Sequence, residues 1–197
     1  MFVNDALNTK LEPFVLTVDR FYRGMAGTID APLSLGAGTP AIGELSVAVS
    51  ELAGLRLDTA DELYALIDVN ELSHFDLNQD LHALATVESG KTGTTTGVIL
   101  TMNLKGVSSA EAFTDAKVAP DSTITFPTFN CTASIPKDTA KQAAAAKGLF
   151  VADRFIMLAI TCTNKGDAAA DDIRLLSITL FGTAAFLTAD GHPKQMT

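Results

Sequence analysis

Side chains that could do chemistry concentrate in SHFDLNQDLHALATVESGK, residues 73–91. Asp76, Asn78 and Asp80 occupy the first, third and fifth positions of a calcium loop. Such a loop also needs a glycine at position six for its sharp turn and a bidentate glutamate at position twelve. Leu81 and Val87 stand there instead. The expected reading is a polar turn between strands, with a weak cation site on those three side chains as the alternative. His74 and His82 flank the turn and His192 lies in the tail, but the spacing fits no closed zinc site and no cysteine is local. Gly90, Lys91 and Thr92 look like the end of a phosphate-binding loop. Its first glycine would fall at Ala85, and TGTTTG leads into a strand where that motif opens a helix.

Nucleophilic catalysis finds no better footing, because no Gly-x-Ser-x-Gly turn occurs. The acidic pairs Asp61 and Glu62, and Asp171 and Asp172, sit in stretches that read as solvated loops. A glycosidase sets two carboxylates across a groove, usually an aromatic one; here tryptophan is absent and tyrosine numbers two. That shortage also weakens a sugar-binding reading. No catalytic, cofactor-binding or metal-binding residue is assigned, no cofactor is expected, and the chain is read as a protein that is not an enzyme. Cys131 and Cys162 fall inside apparent strands, where buried free thiols are expected; a disulfide would need an oxidising compartment.

The net charge of −9 over 197 residues argues against a nucleic-acid partner, since phosphate binding needs a basic stripe. Apolar residues make up 47% of the chain, with mean hydropathy +0.25. No run approaches the roughly 18–20 apolar residues of a membrane helix, so no membrane partner is expected. The apolar surplus must enter a core, an interface between copies, or both. MFVNDALNTK lacks the basic start and apolar run of an export signal, which implies synthesis in a cytoplasm.

These side chains need a scaffold, and the pattern supplies strands. Residues 154–163 are apolar on both faces: Phe155, Met157 and Ala159 on one, Ile156, Leu158 and Ile160 on the other. Such a strand is buried on both faces, in the middle of a sheet. NKGDAAADD follows as a loop, then residues 173–181 alternate, with Leu176, Ile178 and Leu180 on one side. Together they read as a long hairpin. Alternation also marks Leu45, Val47 and Val49; Leu63, Ala65, Ile67 and Val69; Ala83, Ala85 and Val87; and Val98, Leu100, Met102 and Leu104. Around Pro127, which cannot donate a ladder hydrogen bond, Ile124, Phe126, Phe129, Cys131 and Ala133 form the inward set.

Residues 1–40 are rich in Gly and Pro yet carry Phe2, Phe14, Phe21, Tyr22, Ile29, Leu33 and Leu35, and read as an extended arm lying along a surface. One short helix is expected at KQAAAAK, capped by Asp138 or Thr139 and ended by Gly148. The expectation is an all-β, antiparallel two-sheet β-sandwich, a jelly roll of about eight strands, with that crossover helix. Residues 1–40 are the arm, 41–185 the jelly roll and 186–197 a loose tail.

The order of LYALIDV, SHFDLNQD, LHALATVESG, GVILTMNLKG and the closing DRFIMLAITCTNKGDAAADDIRLLSITLFGT resembles the jelly-roll decoration, or cement, proteins of tailed bacteriophage capsids. The resemblance is one of layout over roughly residues 45–185. It implies a virion structural protein on the capsid surface, with itself (a homodimer or homotrimer) and the major capsid protein as partners. Other virion roles (jelly-roll coat, tail or fibre base) and a carbohydrate- or cell-surface-binding module are the alternatives.

Overall fold

The computed structural model describes residues 11–24, 42–43, 54–57, 59, 62–89, 93–108, 120–132, 135–167 and 173–185. Through them run thirteen strands, every pair antiparallel, in two sheets. The first sheet contains β1 (Leu11–Thr17), β3 (Ile42–Gly43), β4 (Gly54–Leu57), β6 (Leu81–Ser89), β10 (Lys137–Asp138), β11 (Gln142–Ala145) and β13 (Ile173–Thr183). The second contains β2 (Phe21–Gly24), β5 (Glu62–Asp68), β7 (Thr94–Val107), β8 (Ser122–Thr125), β9 (Phe129–Thr132) and β12 (Phe155–Lys165). The expected all-β sandwich is the fold. Strands outnumber the expected eight because long strands are flanked by short ones end to end. Pro127, for instance, falls in the break between β8 and β9, which both pair with β7.

β12 is the axis of the second sheet, between β5 and β7: Leu158 faces Ala65 on one flank and Leu104 on the other. Ile156, Leu158, Ile160 and Cys162 are fully buried toward the first sheet. Met157 and Ala159, on the opposite face, are buried with Tyr64 and Val107, and Leu66 and Phe155 pack against them. The doubly apolar run thus gives a doubly buried strand.

β13 plays the same part in the first sheet. It pairs with β6 on one flank and with β1 and β4, end to end, on the other. This corrects the hairpin reading. β12 and β13 lie in different sheets, and residues 166–172 join the two layers. Each strand has both flanks occupied, β12 by β5 and β7 and β13 by β6 and by β1 with β4, which leaves neither an open edge for the other.

The expected helix is absent; among the described residues there is no α-helix. The alanine run is instead β11, an edge strand on β6 with a bulge between Ala143 and Ala145. Helix propensity favours alanine by tenths of a kcal/mol per residue, and a run under three turns is marginal alone. Pairing with β6 outweighs it. Ala144 and Ala145 are buried, and Ser122 Oγ donates to the Ala144 carbonyl.

The arm reading changes too. Residues 11–24 are built into the sandwich: β1 adds an edge to the first sheet, a 3-10 turn (Val18–Arg20) crosses over, and β2 adds an edge to the second. Leu16 (0% exposed) and Phe21 (6%) enter the core. Residues 25–41, the strand expected at 45–50, and the tail beyond 185 lie outside the described residues.

Candidate functional site

The polar turn after β5 is ordered by its own side chains. Asp68 and Glu71 form a reciprocal cap on the 3-10 turn Val69–Leu72. Asp76 Oδ1 accepts from the backbone N–H of Asn78 (3.0 Å) and from its Nδ2 (3.1 Å). Asp80 Oδ1 accepts from the Lys147 N–H at 2.9 Å. The three residues considered for a cation therefore hold the turn and its neighbour in place. His74 lies edge-on to Phe75, ring centroids 4.3 Å apart, with Phe14 beyond. His82 stands on β6 at the register of Phe181. Among the described residues no three His, Cys, Asp or Glu side chains are grouped to hold a metal ion. Residues 90–92, Asp61, Asp171, Asp172 and His192 lie outside the described residues. Cys131 and Cys162 are both buried, and neither is in a disulfide.

Two groups stand out, one that the sequence pattern placed in a loop and one that it did not bring together. Glu62, read as loop, is a β5 residue 1% exposed, and its Oε2 accepts from Tyr64 Oη at 2.5 Å. The signal was available: counting back from Leu63 by the strand period places Glu62 on the face of Tyr64 and Leu66. Tyr22 on β2 is the register partner of Tyr64, so the chain's two tyrosine positions are adjacent across one sheet. The row continues through Ala159, Asn103 and Thr123, with Thr123 Oγ1 donating to Asn103 Oδ1 at 2.7 Å. The second group is Glu88 and Arg174, register partners on β6 and β13 and both buried.

Beside the polar turn, residues 146–154 form a tightly tied loop. The Gly148 N–H donates to Leu77 O (2.9 Å) and the Arg154 N–H to Val107 O (2.9 Å). Leu149 N–H donates to Ala146 O, and Asp153 N–H to Phe150 O, each at 3.2 Å. Phe150 is buried at 2% exposure, whereas Leu149 (38%) and Val151 (49%) project into solvent on either side of it. Sequence pattern did not reveal this, because GLFV reads equally well as core.

No protein-family model and no curated protein sequence matches the chain. Among solved structures it is similar to the CBM36-1 domain of a multidomain xylanase from the hindgut metagenome of Trinervitermes trinervoides, at 12% identity and TM-score 0.43, covering 89% of this chain and 100% of that one. It is also similar to a carbohydrate-binding module CBM36 in complex with calcium and xylotriose, at 14% identity and TM-score 0.38, covering 90% and 96%. A third is the Clostridium thermocellum xylanase 10B CBM22-1–GH10 structure, at 15% identity and TM-score 0.39, covering 90% of this chain and 27% of that one. At these identities and scores the likeness extends no further than a β-sandwich architecture.

Proposed function

We propose that this chain is a non-catalytic structural subunit of a virus particle, a capsid decoration protein that binds the outside of an assembled shell and self-associates there. The observation that supports it is the 146–154 loop, which holds Leu149 and Val151 out to solvent on a backbone already fixed by hydrogen bonds. A pre-ordered apolar contact loses little conformational entropy when it docks, and repetition around a symmetric shell multiplies a modest contact into tight attachment. A net charge of −9 favours keeping free copies dispersed until then. The test is addition of purified protein to particles from its source stripped of it. Saturable, symmetric density on the outer surface and a raised disruption temperature are expected, and both should weaken in a Leu149→Ser/Val151→Ser variant. Particles that neither contain nor rebind the chain would overturn the reading.

A second reading, a glycan-binding module, is favoured by the row of Tyr22, Tyr64, Ala159, Asn103 and Thr123 across one sheet. Against it, Tyr64 is 1% exposed and its hydroxyl is bonded to Glu62. Retardation on a polysaccharide gel, lost when the exposed Thr123 is replaced by Ala while the fold persists, would favour this reading over the first.

A further inference from the structure

We propose that the end of the sandwich where β6, β7, β9 and β13 meet is a water-binding site, with ordered water held between Glu88, Arg174 and Thr132. This goes beyond the assembly reading above and does not depend on it.

Alternation puts Glu88 on the face of β6 that it shares with His82, Leu84 and Thr86. Those three are half-buried, whereas Glu88 is 0% exposed. Its register partner on β13, Arg174, is buried too. The next residue, Ser89, shares a hydrogen bond with Thr95, hydroxyl to hydroxyl at 2.5 Å. Thr94, beside Thr95, is the register partner of Thr132. These links bring the last residues of β6 and β9 to the first residues of β7 and β13. The charge of Glu88 also acts on the thiol of Cys131, the neighbour of Thr132, which sets the carboxylate close to β9.

Among the described residues, four buried side-chain atoms have no hydrogen-bond partner: Glu88 Oε1 and Oε2, Arg174 Nη1 and Thr132 Oγ1. All four belong to this one end. Elsewhere the buried polar groups find partners within the fold: Glu62 accepts from Tyr64, Thr139 Oγ1 from the Ala85 N–H, and Asn103 from Thr123. Leaving buried polar atoms unpaired is costly, and orphans gathered in one place call for a third group that satisfies them.

The chemistry selects that group. It must donate to both Glu88 oxygens and accept from Arg174 Nη1. A metal cation on Glu88 would be pressed against the guanidinium, and an anion on Arg174 would be pressed against the carboxylate. The two charges cancel, so the pair attracts neither. Water donates and accepts, and a buried water makes about three hydrogen bonds, so one or two suffice for all four atoms. Arg174 Nη1 lies 3.5 Å from Glu88 Oε1, longer than the roughly 2.7–2.9 Å of a direct charge-assisted bond. A water beside the pair can accept from the one and donate to the other, and such bridges are nearly as favourable in enthalpy as direct contact.

The test counts internal water in the full chain by oxygen-17 relaxation dispersion. Two variants are compared with it: Glu88→Leu/Arg174→Met, and Thr132→Val, which removes one hydroxyl at nearly constant shape. The double variant is expected to lose at least one long-lived water while still unfolding cooperatively, and Thr132→Val to hold its water less long. An unchanged count in the double variant would overturn the proposal. A crystal structure of the unaltered chain, at a resolution that shows water, reads the same site without any substitution. Water density within hydrogen-bonding distance of Glu88 and Arg174 is expected. A direct fork between the two side chains with no third group, or an ion in that density, would overturn the assignment.

Discussion

Arg174 on β13 and Glu88 on β6 face each other with Nη1 3.5 Å from Oε1, their side chains 7% and 0% exposed. Among the described residues, neither Glu88 oxygen nor Arg174 Nη1 has a hydrogen-bond partner. Removing two charges from water costs several kcal/mol each, and the attraction between them offsets this only where further hydrogen bonds satisfy both groups. Glu88 has none among the described residues, so the pair is expected to contribute little net stability; it sits just before the bulge between Leu175 and Ser177.

Replacing Glu88 by Leu or Arg174 by Met alone leaves a lone buried charge, and each single variant should lose roughly 3–5 kcal/mol. The double variant should be neutral or more stable by about 1–4 kcal/mol. Urea unfolding of the four proteins measures the cycle. A double variant as damaged as either single one would mean that the charges do more than neutralise each other.

Gly166 closes the turn after β12 with φ +63, and a Cβ there would run into the Thr96 carbonyl. Gly93, with φ +99, has open space around it. Alanine at Gly93 should therefore cost about 1 kcal/mol of backbone strain, and alanine at Gly166 roughly 2–3 kcal/mol, because Thr96 and Asp167 must also separate. Equal thermal shifts for the two variants would show that the steric contact contributes nothing.

How far the fold was legible follows from the range of the forces involved. Alternation is a local signal, so the faces of β5, β6, β7 and β12 were readable: Leu63, Ala83, Leu100 and Ile160 are buried as their pattern demands. Partner choice is not local. Whether residues 173–181 pair with β12 or leave for the other sheet depends on which flanks remain open across the whole molecule, and the hairpin reading failed there. The alanine run failed for a related reason, since the edge of β6 that captures it lies some sixty residues earlier. Glu62 was legible by period two, whereas Glu88 and Arg174 became a pair only once β13 had its register.

Glu71 is held below its ordinary carboxyl range, first by the hydrogen bond from Arg20, against some desolvation. A carboxylate depressed in the folded state contributes stability above its unfolded pKa, and that contribution disappears as pH falls through the folded value. Residues 11–24 should therefore loosen below about pH 4.5, seen as faster proteolysis near Arg20. Arg20→Ala should already be loose at neutral pH and should lose that acid step. Both groups are partly exposed, so the effect is small. An acid step unchanged in Arg20→Ala would place the sensitivity elsewhere.

The Cys131 thiol is pushed from an ordinary 9.0 up to about 11, by burial first and then by the negative charges of Asp167 and Glu88. The thiolate is the reactive form, so at pH 8 its population should be about a hundredfold below that of an ordinary thiol, a two-unit difference. Dithionitrobenzoate should label the folded protein slowly at that pH and both thiols at once after unfolding. The stability consequence has a definite sign. A group whose folded pKa is raised gives its full contribution below the unfolded value and loses it as pH climbs through the folded one. Unfolding free energy should therefore decline between about pH 9 and 11, and Cys131→Ala should flatten that decline while costing some packing at every pH. Glu88→Gln removes one of the two charges and should bring the thiol partway back toward 9. If labelling at pH 8 were as fast in the folded protein as in the unfolded one, Cys131 would not be buried as described above.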